Sequence, residues 1–233
     1  MDTYPICLVD LGRRRVVVVG SGRVAERKLG GLLAAGAAVN VVGPRPTKQI
    51  LAWAGSGAIT LSARRYQDGD LAGAFLVVAA TDDSAVNQAV CEEARRRGCL
   101  VNAVEHPERS DFIVPAVVRR GEVTIAIGTG GASPALARHL RRRVEQAIGA
   151  EYAAAAAVLA ELRPVLAERF PDADARTAAV ERLLAAGLLD VAQAEGQAAA
   201  AWALAEWDAE AAEATAGGDR PDQSDRREID ESE

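Results

Sequence analysis

The chain has 233 residues, 49% of them hydrophobic, which is enough for one substantial core with an appendage and too apolar for a disordered chain. Its 33 acidic and 27 basic residues leave a formal net charge of -6, which argues against nonspecific nucleic-acid binding, although basic residues are richer before Arg143 and acidic ones gather after Glu206. Three cysteines, Cys7, Cys91 and Cys99, have no metal-ligand spacing and leave an odd thiol, so a reducing compartment is expected; no secretory or membrane-spanning pattern is present, and the cytoplasm is the expected address.

The four valines at 16–19 are β-branched and short as a run, which predicts a buried parallel strand. They lead into Gly20-Ser21-Gly22-Arg23-Val24-Ala25 and a charged, apolar-periodic helix over 26–35. A strand, two glycines and a helix N-terminus in that order predict a turn that cradles a dinucleotide. Gly20 makes the bend, Gly22 makes room, and Ala25 permits close helix packing, while Arg23 and Val24 offer backbone N–H groups to a pyrophosphate. Further strands are predicted over 39–42, 59–61, 75–79 and 100–103, with helices near 47–54 and over 84–97, the latter closing at Gly98. This alternation predicts a Rossmann-like, doubly wound parallel α/β sheet.

The pattern then changes. Residues 112–118 and 122–127 read as strands joined at Arg119-Arg120-Gly121, followed by the glycine-rich loop Gly128-Thr129-Gly130-Gly131. Ser133 suits an N-cap and Pro134 the first helical position, which predicts a helix over 134–148. From Glu151 to about Ala214 the chain is alanine-rich, with three or so helices interrupted at Pro164, Pro171 and Gly187. The polar end from Gly217 to Glu233 is predicted to be disordered.

Several segments in fixed order carry a resemblance: Val19 through Lys28, Ala80-Thr81-Asp82-Asp83 with Val86-Asn87, Val101-Asn102-Ala103-Val104-Glu105-His106-Pro107, Asp111 through Ala116, and Ile125 through Arg138. Together they resemble the precorrin-2 dehydrogenase family, the N-terminal region of siroheme synthases. The resemblance covers roughly residues 4–148; the helical remainder matches only in type and position. It implies NAD-dependent oxidation of precorrin-2 to sirohydrochlorin and, in some members, insertion of ferrous iron (Fe2+) as a second substrate. It also implies a homodimer in which a small α+β segment exchanges contacts. The expected organisation is therefore a cofactor-binding domain over 1–111, a dimerisation segment over 112–149, a helical domain over 150–214 and a tail over 215–233.

Glu105 follows a strand's carboxyl end, where ligands gather in such folds, and occupies the position of the family's catalytic aspartate. It is the expected acid-base group, with an extra methylene that shifts its carboxylate. Thr81 and Asp82 match the family at the nicotinamide side of the cleft. No ribose-binding acid follows the second strand, where Gly43, Pro44 and Arg45 stand instead; Arg45 could pair with a 2′-phosphate, but the family also lacks the acid, and NAD is the expected cofactor. A substrate bearing eight carboxylates calls for guanidinium groups; among Arg109, Arg119, Arg120, Arg138 and Arg141, the expected binders are Arg120 and Arg138, with Ser133 either a carboxylate ligand or only an N-cap. His106 is a surface imidazole or a proton relay, and His139 has no partner at ligand spacing, so no metal site is expected. Two alternatives stay open at this level: a dehydrogenase without chelatase activity, and a non-catalytic module that senses NAD or holds tetrapyrrole.

Overall fold

A computed structural model describes residues 3–104 and 106–217, with side chains through residue 209. The chain divides into two compact units, one formed by residues 1–115 with 130–132 and the other by residues 116–129 with the chain from Ser133 onward. The disordered tail predicted by composition concerns residues that, from 218 onward, lie outside the described ones, as does Glu105.

In the first unit, β1 (Arg15–Val19), β2 (Ala38–Val42), β3 (Ile59–Ser62), β4 (Leu76–Ala79) and β5 (Leu100–Ala103) form a parallel sheet in the order β3-β2-β1-β4-β5. The valines of β1 are fully buried because neighbours flank them on both edges, with Val16 paired to Val39 on one side and Leu76 on the other. Strand pleating sends them alternately to opposite faces. Val16 and Val18 pack with Ala25 and Leu29 of α1 (Arg23–Ala34) and Ile50 of α2 (Lys48–Gly55). Val17 and Val19 pack with Val90, Cys91 and Ala94 of α3 (Ser84–Arg97). Helices thus cover both faces, as the alternating pattern predicts. Burial raises the pKa of the Cys91 thiol, which sits in this second layer.

α1 begins at Arg23, a turn earlier than the sequence periodicity places it, because Gly22 serves as N-cap and the Glu26 N–H donates to the Gly22 carbonyl at 2.9 Å. Between β3 and β4, residues 63–75 form turns where a crossover helix is usual, and Tyr66 and Leu71 supply the apolar cover. This segment is anchored on Glu93, a fully buried carboxylate of α3. Glu93 accepts hydrogen bonds from the Tyr66 hydroxyl, from the Gly69 N–H at 3.0 Å and from the Arg97 Nε at 2.6 Å. Burial works to raise its pKa, but these donors outweigh it and hold the carboxyl below the usual glutamate range. Arg64 and Asp70 form a second tie at 2.6 Å.

The second unit opens with a hairpin of β6 (Ala116–Arg120) and β7 (Val123–Ile127). The predicted strand over 112–118 is corrected here: residues 112–115 make no strand pairing. Instead, Phe112 packs against the first unit's apolar layer, and its carbonyl accepts from the Asn102 Nδ2 at 2.9 Å. Arg119 and Arg120 belong to β6 rather than to the turn; Gly121, with φ 56°, takes the first turn position, where positive φ suits glycine. α4 (Pro134–Ala147) follows, then α5 (Glu151–Arg169), α6 (Ala173–Ala185), α7 (Leu188–Glu195) and α8 (Ala199–Gly217). α5 runs through Pro164 without interruption, contrary to the sequence expectation. Its buried Val158, Leu162 and Leu166 anchor both sides of the proline in the helical core, and tertiary packing overrides the local penalty. Among the described residues no helix is long and apolar enough to cross a membrane.

Candidate functional site

The strand order reverses between β1 and β4, since β2 and β3 extend to one side and β4 and β5 to the other. In such a sheet a crevice opens at the carboxyl ends of the two central strands. A cleft of about 480 Å³ lies there. All nine residues singled out from the sequence for cofactor contact, Gly20, Ser21, Gly22, Arg23, Val24, Pro44, Arg45, Thr81 and Asp82, line it.

Its floor is the turn after β1. Gly20 has φ 123° and donates its N–H to the Val42 carbonyl at 2.8 Å, and a Cβ there would overlap the Ala80 carbonyl oxygen. Only glycine fits, for reasons internal to the fold. Gly22 differs: a Cβ on it would meet nothing within 4 Å. Packing among the described residues does not require a glycine at this point, so its open side leaves backbone exposed to whatever occupies the cleft. The first turn of α1 begins at the next residue, where unpaired N–H groups and the helix dipole favour an anion.

One wall follows β2. Gly43 packs so closely on the turn that a Cβ would lie 2.9 Å from the Ser21 amide nitrogen, and the Thr47 N–H donates to the Ser21 carbonyl at 3.0 Å. Ser21 is buried beneath this contact. The opposite wall follows β4. The Asn87 side chain reaches back from α3, accepting from the Thr81 N–H at 3.2 Å and donating from Nδ2 to the Thr81 carbonyl at 2.9 Å. Asp83 caps α3 by accepting from the Ala85 and Val86 N–H groups. These bonds set the backbone on which Thr81 and Asp82 are presented. Asn87 lines the cleft with Ala79, Ala80 and Val104, none of which carried a role in the sequence pattern. Asn87 stood in the sequence pattern that carries the family resemblance, and four residues after a helix-capping aspartate, but without an assigned contact. Arg45 and Asp82, from opposite walls, approach to 3.8 Å.

Past β5 the backbone folds back on the strand. The Ala103 N–H donates to the Ser110 Oγ at 2.9 Å, and the Val101 N–H donates to Asp111 Oδ2 at 2.9 Å. Glu105, predicted as the acid-base group, lies outside the described residues. His106 faces Glu108 at 3.1 Å, and among the described residues no cluster of His, Cys, Asp and Glu could hold a metal ion.

The three residues predicted for substrate lie in the second unit. Ser133 caps α4, accepting from the Leu136 N–H at 3.2 Å. Arg138 is exposed on α4. Arg120 has a structural task that the sequence did not suggest: its Nε donates to the Ile148 carbonyl at 2.9 Å, and its two terminal nitrogens donate to the carbonyls of Glu145 and Arg119. It closes the C-terminal end of α4, where carbonyls lack helical partners.

Comparison with known proteins matches residues 7–116 to a family described as putative NAD(P)-binding and residues 120–147 to one described as sirohaem biosynthesis protein central. The siroheme synthase of Methylococcus capsulatus is 44% identical over 184 residues, covering 79% of this chain and 39% of that protein. The siroheme synthase of Chromobacterium violaceum is 40% identical over 200 residues, covering 86% of this chain and 42% of that protein. The chain thus spans about two fifths of the length of these curated relatives. The solved structure of SirC, a precorrin-2 dehydrogenase, superposes with a TM-score of 0.66 at 30% identity, covering 78% of this chain and 89% of that one.

Proposed function

The chain belongs to the precorrin-2 dehydrogenase family, and from that premise we propose that it oxidises precorrin-2 to sirohydrochlorin with NAD in siroheme biosynthesis. The observation that carries this reading is Gly22, the N-cap of α1, open to the cleft where packing among the described residues does not call for a glycine. Its bare backbone fits the close approach of a pyrophosphate, and Gly20 fits the tight bend beneath it. When bound, NAD supplies the acceptor for the hydride that leaves the macrocycle.

In this proposal Arg23 and Val24 hold the pyrophosphate through their N–H groups, and Pro44 with Arg45 borders the adenosine half. The Thr81–Asp82 backbone, fixed by Asn87, borders the nicotinamide half, while the Asp82 side chain reaches across toward Arg45 and the adenosine half. Glu105 takes the proton that balances hydride loss and, with ferrous iron as second substrate, receives the pyrrole protons that metal insertion displaces. Ser133, Arg138 and Arg120 meet substrate carboxylates; Arg120 also donates one N–H from each side-chain nitrogen to a backbone carbonyl, which leaves the second N–H of each terminal nitrogen for substrate. A cytoplasmic homodimer completes the proposal. The dimer is supported by α4, which buries no residue and leaves Leu136 and Leu140 48% and 39% exposed one turn apart.

The test is anaerobic incubation of the chain with precorrin-2 and NAD, following NADH and sirohydrochlorin, then adding ferrous iron. The expected result is stoichiometric NADH and sirohydrochlorin, with turnover reduced about 100-fold or more in Glu105→Gln, as removal of a general base dictates. Iron-dependent siroheme formation above the protein-free rate would add the chelatase step. Bound NAD without any NADH formation would overturn the enzymatic reading in favour of a binding module.

A further inference from the structure

The cleft contains a charge pair for which the dehydrogenase reaction itself gives no reason. In a dinucleotide fold an acidic residue about 20 positions after the glycine turn grips the ribose 2′-hydroxyl and repels a 2′-phosphate. That place falls at Val42 and Gly43, where Val42 is buried and any Cβ on Gly43 would crowd the Ser21 amide nitrogen. The fold therefore excludes the usual NAD-selecting acid. What it offers instead is Arg45, between Pro44 and Pro46, in a segment tied at both ends: Gly43 N–H donates to the Ser62 carbonyl at 3.1 Å and Thr47 N–H to the Ser21 carbonyl at 3.0 Å. The prolines restrict the backbone on either side of Arg45, so the residue is presented from the β2 wall. Its side chain is 85% exposed, and the carboxylate of Asp82, 90% exposed, reaches it from the β4 wall.

We infer that Arg45 and Asp82 together set the choice between NAD and NADP: Arg45 is the group that reads a 2′-phosphate, and Asp82 competes for it. This inference rests on the reading of the cleft as a dinucleotide site. An NADP 2′-phosphate must displace Asp82 from Arg45 and bear the repulsion of the released carboxylate, whereas NAD leaves the pair intact. Because an exposed ion pair is weak, the barrier to NADP is shallow, and the chain admits both cofactors with NAD preferred by about tenfold or less. Selection by a weak external pair, rather than by a buried acid, makes the preference dependent on salt.

The experiment titrates the whole chain with NADH and with NADPH by nucleotide fluorescence and reads the ratio of the two dissociation constants. Asp82→Asn is expected to shift that ratio toward NADPH by about fivefold, the scale of a released surface ion pair, and Arg45→Ala to shift it toward NADH by about tenfold, the scale of a lost guanidinium–phosphate contact. Lys48→Ala, an exposed cation at the start of α2 and outside the cleft lining, is expected to leave the ratio within twofold. NADH binding with a ratio that neither cleft variant moves would overturn the inference while the dinucleotide reading stands. An equal shift from Lys48→Ala would also overturn it, assigning selection to the general field. Absence of NADH binding would remove the cofactor reading and the inference with it.

Discussion

In the first unit a central sheet divides the apolar core into two layers of valine, leucine and alanine, whereas the second unit buries one cluster of alanines and leucines closed by Trp207. All the buried polar or charged side chains among the described residues, Ser21, Asn87, Glu93 and Asn102, lie in the first unit. A buried polar group is costly without a partner, and the bonds made by Asn87, Glu93 and the Asn102 Nδ2 tie loops to defined places. Asn87 does this for the Thr81 wall and Glu93 for the segment before β4. Among its described residues the second unit buries no such polar side chain, and its core depends mainly on packing. The difference teaches that positional precision is concentrated in the first unit, at the cleft through Ser21 and Asn87 and away from it through Glu93 and Asn102, while the helical unit supplies burial.

The largest expected effect breaks the packing side of this contrast. Trp207 is 2% exposed, meets Phe170 edge-on at 5.6 Å between ring centroids, and donates its indole N–H to the Ala179 carbonyl. Trp207→Ala is expected to cost about 4 kcal/mol, the scale for an emptied aromatic core site, and to lower one unfolding transition in calorimetry while NAD affinity persists. A single transition falling as a whole, with loss of NAD binding, would erase the contrast.

A smaller effect sharpens the polar side. Glu93→Gln removes the charge that Tyr66, Gly69 and Arg97 address and is expected to cost about 2 kcal/mol by denaturant titration, the scale for hydrogen bonds to a charged group. The folded-state pKa of Glu93 is lowered, so its contribution is present above the ordinary glutamate pKa and is lost as pH falls through the folded value. Asp70, lowered by its bond to Arg64, acts in the same sense. The first unit is therefore expected to lose stability on acidification below about pH 4.3, and Glu93→Gln to flatten that loss. Equal acid sensitivity in protein and variant would remove Glu93 from this role.

Where local chemistry is self-contained, the sequence was legible. α3 runs over the predicted residues because Asp83 caps its start and Gly98, at φ 67°, its end. β1 and its glycine turn were legible from four valines followed by residues that only a sharp bend needs. Legibility fails where a distant contact decides. Phe112 and Ile113 looked like strand residues, yet Phe112 is held by Asn102 and the first core layer. Pro164 looked like a break, yet α5 is fixed by its neighbours in the helical core. At the cleft, residues on the turns that follow the strands could be picked out by position. Asn87 and Arg120 were both named from the sequence, but not their partners, because Asn87 reaches six residues back along the chain and the Arg120 carbonyl partners at 145 and 148 lie 25 and 28 residues away.

The central claim is that the crevice between β1 and β4 is where the dinucleotide binds, and amide hydrogen exchange of the whole chain with and without saturating NAD tests it most directly. The account predicts slower exchange over residues 20–25 and 81–87, with α5 to α8 unchanged. Slowing confined to the helical unit, or none at either wall of the crevice under saturation, would contradict it.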